Sequence, residues 1–331
     1  MEKTLREYQS QLFGQPVAKI EILDDQSGTT RRTRARLRLD NGEELSVFIK
    51  RPSRSLVARA FVAVPRLGRA EVNFYTELRD RVPIATPQCH GAGRYRRGFI
   101  VVLEDLTHSG AKLRSSTDTL SADEAGSLLD SLAAMHRQWW GRTDSHPWLA
   151  RNPRRELKLG ALLSPSLCRL GLWRVGSAVP EPLHKPISHY ARNRRSAQEA
   201  MSAGPTTLIH NDCHPGNQYV AAGGRPGLID WQLCRAGTWA RDVAYLLATS
   251  LDPETRRNAE RDLLANYLNQ LGTVAPTVEE AWLAYRRNVV YAVEAMLVTA
   301  AVGVMMPKSA SLTLVNRTAK AAADLDSFGA L

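Results

Sequence analysis

Leu208-Ile209-His210-Asn211-Asp212-Cys213-His214-Pro215-Gly216-Asn217, followed further on by Gly227-Leu228-Ile229-Asp230-Trp231-Gln232, is the stretch that decides how the rest of the chain is read. Two short apolar runs with strand character, Leu208-Ile209 and Gly227-Leu228-Ile229, are separated by a Pro/Gly turn. Two carboxylates and a carboxamide fall at the turn positions after these runs rather than on a face that a core would cover. That arrangement suits a site built at strand ends.

These groups share one chemistry. Asp212 can accept a proton from an attacking hydroxyl, while Asn217 and Asp230 offer the hard oxygens that Mg²⁺ prefers. Phosphoryl transfer needs little more than a positioned nucleophile and cations that neutralise the charge on the phosphates. The step of five residues from Asp212 to Asn217 matches the kinase catalytic loop, His-x-Asp followed by Asn, and Asp230, eighteen positions after Asp212, takes the place of the kinase metal-binding Asp. The stretch resembles the aminoglycoside phosphotransferase and choline kinase superfamily, whose usual form is His-Gly-Asp-x-His-Pro-Gly-Asn followed by Ile-Asp-Trp or Ile-Asp-Phe. Only the Gly differs here; it is Asn211, as in choline kinases. Solvated turn formers would explain an isolated His-x-Asp. They do not explain a complete motif with a correctly spaced Ile-Asp-Trp.

The resemblance implies an α+β, bilobal, protein-kinase-like fold. Its small antiparallel sheet with one main helix would occupy residues 1–104 and bind the nucleotide; a large, mostly helical lobe over 105–331 would carry catalysis and acceptor binding. It also implies ATP as phosphate donor (GTP being the alternative), Mg²⁺, and a small-molecule hydroxyl as acceptor. Asp212 becomes the catalytic base, His210 shapes its loop, and Asn217 and Asp230 hold the metal.

The rest of the chain can be set against that expectation. Thr33 to Leu39 alternates small or apolar residues with arginine, Asp40-Asn41-Gly42 supplies a turn, and Leu45 to Lys50 follows as the partner strand. Lys50, at the end of that strand, takes the place of the lysine that pairs with the phosphates. Glu71, in a helical Glu-x-x-Phe-Tyr pattern with Val72, Tyr75 and Leu78 on one face, takes the place of the carboxylate that holds this lysine. Ser27-Gly28 stands where a loop covers the phosphates, without the glycine pattern of a full phosphate-binding loop. Phe99 to Leu103 reads as a central strand, ending at Glu104-Asp105-Leu106, the expected hinge whose backbone meets the adenine edge. Ser121 to Glu124 forms a capping start for a long helix, in which His136 reads as a structural histidine. Asp242 is expected to accept backbone hydrogen bonds from the catalytic loop, and His214 either touches phosphate or packs structurally. Residues 141–205 carry no legible pattern. Helices are expected over 254–271, 277–306 and 311–328, with Glu294 inside an apolar helix either facing the acceptor or paired with a nearby arginine.

Composition bounds the remainder. The 331 residues carry a formal net charge of +11, but the basic residues are scattered and accompany no nucleic-acid motif, so no nucleic-acid partner is expected. The run from Val289 to Met306 is interrupted by Glu294 and is expected to be a buried helix rather than a membrane span. Four cysteines without metal-type spacing, and no secretory signal at the start, lead to the expectation of a cytoplasmic protein with reduced thiols. A protein kinase is disfavoured because no Ala-Pro-Glu motif follows Asp230. The alternative from another class is an inactive nucleotide-binding relative or regulatory protein, against which stands the complete set Lys50, Glu71, Asp212, Asn217 and Asp230. The acceptor stays open among antibiotics, in resistance or self-protection, choline and amino sugars.

Overall fold

Arginine alternating with small residues makes a strand with one wet face and one dry face. In the computed structural model, which describes residues 12–27, 30–53, 67–95, 98–150 and 154–331, Thr33, Ala35, Leu37 and Leu39 are buried while the arginines between them are not. This strand, β2 (Thr30–Leu39), belongs to a five-stranded antiparallel sheet with β1 (Val17–Ser27), β3 (Glu44–Pro52), β4 (Cys89–Tyr95) and β5 (Gly98–Glu104), in the order β1-β2-β3-β5-β4. The buried side chains of β2 meet Val47 and Ile49 of β3 and Ile100 and Val102 of β5 in one apolar cluster. Gly42, at φ 88°, closes the expected β2–β3 turn in a conformation that a side chain would strain.

The helix expected around Glu71 is described from Leu67, and the residues before it lie outside the described part. α1 (Leu67–Asn73) runs into a π-helical turn at Phe74–Leu78. Val72, Tyr75 and Leu78 are buried and Glu77 is exposed, as their spacing predicts. Gly68 lets α1 lie directly on β5, since a Cβ there would fall 2.2 Å from the Phe99 ring. Phe74 stacks on Trp231 with centroids 3.9 Å apart and planes inclined by 5°.

The chain divides into two compact units, Met1–Leu113 with Tyr219–Leu233, and Arg114–Gln218 with Cys234–Leu331. The first unit therefore runs past the expected division at Glu104 and takes back a later segment. A small sheet accounts for the return. In it β6 (Lys112–Leu113) pairs with β8 (Gln218–Val220), which neighbours β9 (Pro226–Leu228), and Gly227 bridges to Ala85. Asp230 thus belongs to the same unit as Lys50 and Glu71.

The second unit is helical. α2 (Ala122–Trp139) starts at a complete capping box in which Ser121 and Glu124 each accept the other's backbone N–H, at 3.2 and 2.9 Å. Residues left without a pattern in the sequence form α3 (Arg154–Val175), α4 (His184–Arg192) and α5 (Arg194–Met201). After the pair β7 (Thr207–Ile209) and β10 (Arg235–Gly237) come α6 (Trp239–Ser250), buried along its whole length, then α7 (Pro253–Leu271), α8 (Val278–Val302) and α9 (Lys308–Asp324). α8 packs against α3, α6 and α9, which is why its apolar run is buried on most sides. Among the described residues no helix is long and apolar enough to cross a membrane.

Candidate active site

In the first unit, β3 ends by carrying Lys50 inward. Its ammonium lies 2.9 Å from both Glu71 carboxylate oxygens and 2.6 Å from Asp230 Oδ1, and it is almost completely buried. A buried cation is tolerable only with such partners. Burial pushes the Glu71 carboxyl up to about 7; the Lys50 charge opposes that shift and the Asp230 carboxylate adds to it. Asp230 follows β9 with φ 62°, a left-handed backbone that aims its side chain at Lys50 instead of continuing the strand.

Arg32 carried no expected role in the sequence, where it is one of the scattered basic residues. It sits directly opposite Lys50 in the β2–β3 ladder, and its guanidinium lies 3.6 Å from Asp230 Oδ2. The signal was available in principle: registering the hairpin on its turn places residues 32 and 50 side by side.

The segment expected as a hinge is held by its side chains. Asp105 accepts from Thr107 and from Arg34 Nε at 2.9 Å, and Glu104 Oε1 accepts the Gln88 N–H at 2.7 Å. Burial raises the Asp105 carboxyl, but the bonds from Thr107 and Arg34 outweigh it and hold the group below its ordinary value. The N–H groups of Glu104 and Asp105 donate to the carbonyls of Gln88 and Ser46. Of the three expected hinge residues, Leu106 is left with its N–H to offer a ligand. Ser27 ends β1 opposite Arg31, and Gly28 lies outside the described residues.

In the second unit the catalytic-type loop hangs from one buried carboxylate. Asp242, on α6, accepts the N–H of His210 through Oδ2 and that of Asn211 through Oδ1, both at 2.7 Å. His136 Nε2 lies 3.3 Å from Asp242 Oδ2, and His136 Nδ1 lies 2.7 Å from the Tyr267 hydroxyl. This fixes the tautomer: Nε2–H donates to the carboxylate and Nδ1 accepts from the phenol. Burial raises the Asp242 pKa, yet the hydrogen bonds from His136 and from the loop N–H groups prevail and hold it below the ordinary carboxylate value. The structural tasks expected of His136 and Asp242 are the ones observed.

Inside the loop, His210 Nδ1 accepts the Asp212 N–H at 3.2 Å, and His214 Nδ1 accepts the Gly216 N–H at 3.1 Å. His214 Nε2 is 3.9 Å from Asp212 Oδ1. Asn217 Nδ2 donates to Asp212 twice, to the backbone carbonyl at 2.9 Å and to Oδ2 at 3.0 Å. Those bonds orient the amide so that its Oδ1 is left for a cation. Gly216 has no room for a side chain, since a Cβ would lie 2.3 Å from Ser116 Oγ and 2.9 Å from the His214 ring.

Two tyrosines that the sequence reading gave no role flank Asp212. Burial and then the Asp212 charge push the Tyr245 phenol well above its ordinary range. Tyr291, on α8, donates to the Asn211 carbonyl at 3.3 Å, and its ring centroid is 5.7 Å from that of Tyr245. Glu294, by contrast, is fully engaged: Ser164 Oγ at 2.8 Å, Arg194 Nε at 2.6 Å and the Tyr190 hydroxyl at 2.6 Å all donate to it. Of the two alternatives for this residue, the arginine pairing is the one found.

Among the described residues no group of three or more His, Cys, Asp or Glu side chains forms a metal cage. Asp230 in the first unit and the amide oxygen of Asn217 in the second are each a hard oxygen donor of the kind Mg²⁺ takes.

The sequence model of the phosphotransferase enzyme family (APH) matches residues 30–282. No curated protein matches the chain in sequence. Among solved structures, the choline kinase LicA from Streptococcus pneumoniae is 16% identical, with a TM-score of 0.55 over 98% of this chain and 99% of that one. LicA in complex with AMP gives 17% identity and a TM-score of 0.52 over 99% and 98%. The aminoglycoside phosphotransferase from Alicyclobacillus acidocaldarius is 15% identical, with a TM-score of 0.51 over 93% and 92%. At these identities the likeness speaks for the fold, the α+β protein-kinase-like architecture expected from the sequence.

Proposed function

Because the chain belongs to the phosphotransferase enzyme family, we propose that it is an ATP-dependent small-molecule kinase that moves the γ-phosphate to an acceptor hydroxyl with Asp212 as base. The observation that carries the nucleotide half of this reading is the Lys50 ammonium held between Glu71 and Asp230. Lys50 steadies the α- and β-phosphates, Glu71 keeps Lys50 in place, and the Leu106 N–H meets the adenine edge. Asp230 and Asn217 Oδ1 offer oxygens to Mg²⁺, which when bound neutralises phosphate charge.

Asp212, kept in place by Asn217 and by the Asp242-anchored backbone, takes the proton of the acceptor hydroxyl. The hydroxyl oxygen bonds to the γ-phosphorus as the bond from that phosphorus to the β–γ bridging oxygen breaks. ADP and a phosphomonoester result. His210 shapes the loop through its bond with the Asp212 N–H, and GTP is the alternative donor. Buried cysteine side chains at Cys168, Cys213 and Cys234 fit a reducing cytoplasmic setting.

The acceptor class to test first is an antibiotic or related metabolite, in resistance or self-protection, with choline and amino sugars beside it. The test is release of ADP from Mg²⁺-ATP across such a panel, with ³¹P NMR of any product. The reading predicts a new phosphomonoester resonance with at least one acceptor. ADP release that never exceeds background, together with no nucleotide-dependent rise in melting temperature, would instead support an inactive relative.

A further inference from the structure

Arg241, on α6 immediately before Asp242, is only 5% exposed, and among the described residues no carboxylate pairs with it. Its guanidinium lies 4.4 Å from the centroid of the Tyr291 ring, one of its terminal nitrogens donates to Gln198 Oε1 at 3.1 Å, and its Nε–H has no partner. Arg194, nearby, is answered by Glu294; Arg241 has no such answer. Burial drives its pKa down, Tyr291 and Tyr190 oppose that, and the positive charges of Arg235 and Arg194 add to it. A buried guanidinium with an idle N–H and no counter-charge is costly, and it is also the group best suited to grip an oxyanion.

Its position says which oxyanion. The Tyr291 ring that Arg241 covers carries the hydroxyl that donates to the Asn211 carbonyl, next to Asp212, and Tyr291 is itself only half-buried. One phenol ring therefore separates the unanswered cation from the loop that holds the base. We propose that Arg241, with Tyr291, binds an oxyanion on the acceptor, so that the enzyme phosphorylates a small alcohol bearing a carboxylate or phosphate a few bonds from its hydroxyl. A cationic acceptor meets the wrong charge here: the neighbouring carboxylate, Glu294, is saturated by Ser164, Arg194 and Tyr190.

The inference rests on the kinase reading for the role of Asp212, and the two are separable. Binding of glycerate, glycerol 3-phosphate, glycerol and choline is measured by calorimetry at constant ionic strength on the full chain, alongside the melting-temperature response to Mg²⁺-ATP. The expected result is that at least one of the two anions binds about tenfold or more tighter than glycerol. Glycerate and glycerol 3-phosphate distinguish a carboxylate from a phosphate. Arg241→Gln should remove the preference and Arg241→Lys should restore part of it, with turnover of an anionic acceptor showing the loss in KM more than in kcat.

Equal or tighter binding of glycerol or choline by the wild type overturns the inference without needing any variant to fold, as does an anion preference that survives Arg241→Gln. Loss of the Mg²⁺-ATP response with the anion preference intact would sink the kinase reading alone.

Discussion

Asn211 and Asp230 both hold left-handed backbone, at φ 70° and 62°. Glycine takes this conformation freely, and among residues with side chains Asn and Asp tolerate it best. This is the physical sense of the one departure from the family motif: Asn211 replaces a glycine where few other residues could. Asn211→Gly should change stability by no more than about 0.5 kcal/mol, whereas Asn211→Ala should cost about 1–2 kcal/mol in urea unfolding. Equal losses for both would show that the side chain, not the backbone, matters at this position. The pairing of Lys50 with Glu71 could be anticipated, but only through the family resemblance, because a lysine ending an apolar strand and a glutamate on a helix face each read equally well as solvated charges. Arg241 could not: in the sequence it is one arginine among many, and only its burial on Tyr291 sets it apart.

At the scale of elements, α6 is the anchor of the catalytic-type loop. Asp242 collects two loop N–H groups and one histidine, so the loop's shape depends on a carboxylate that does not face the reaction. Asp242→Asn keeps the size but turns an N–H₂ group toward N–H donors. It should destabilise the protein by about 2–4 kcal/mol and lower single-turnover transfer with little change in nucleotide affinity. A variant with wild-type stability and rate would contradict the anchoring role.

The elements differ in how plainly the sequence announces them. The hairpin of β2 and β3 and the capping box of α2 are strictly local patterns, and both stand where expected. α3 was hidden because Pro165 lies inside it and because Leu162 and Trp173 are exposed, which blurs the apolar stripe that marks a helix. The return of Tyr219–Leu233 to the first unit was hidden for another reason. It depends on strand pairing across more than a hundred residues, which no local pattern encodes.

For the molecule as a whole, the titrating groups shape how stability varies with pH. Arg31 and Thr33 hold the Asp25 carboxyl down to about 2, so its contribution is present above its unfolded value of 3.8 and is lost as pH falls toward 2. Asp105 and Asp242 are also lowered and act in the same direction. Glu71 works oppositely. Its folded pKa of about 7 exceeds its unfolded value of 4.5, so the folded state keeps a proton that the unfolded state has released, and stability drains away as pH rises from 4.5 through 7. Thermal melts between pH 5 and 8 should fall more steeply for the wild type than for Glu71→Gln; parallel curves would remove Glu71 from the account.

The most direct measurement compares Asp212→Asn with the wild type in two assays, calorimetric binding of Mg²⁺-ATP and single-turnover transfer to an acceptor the wild type uses. Nucleotide affinity should stay within about twofold while transfer drops by about 10²–10⁴. Transfer at close to the wild-type rate would contradict Asp212 as the base.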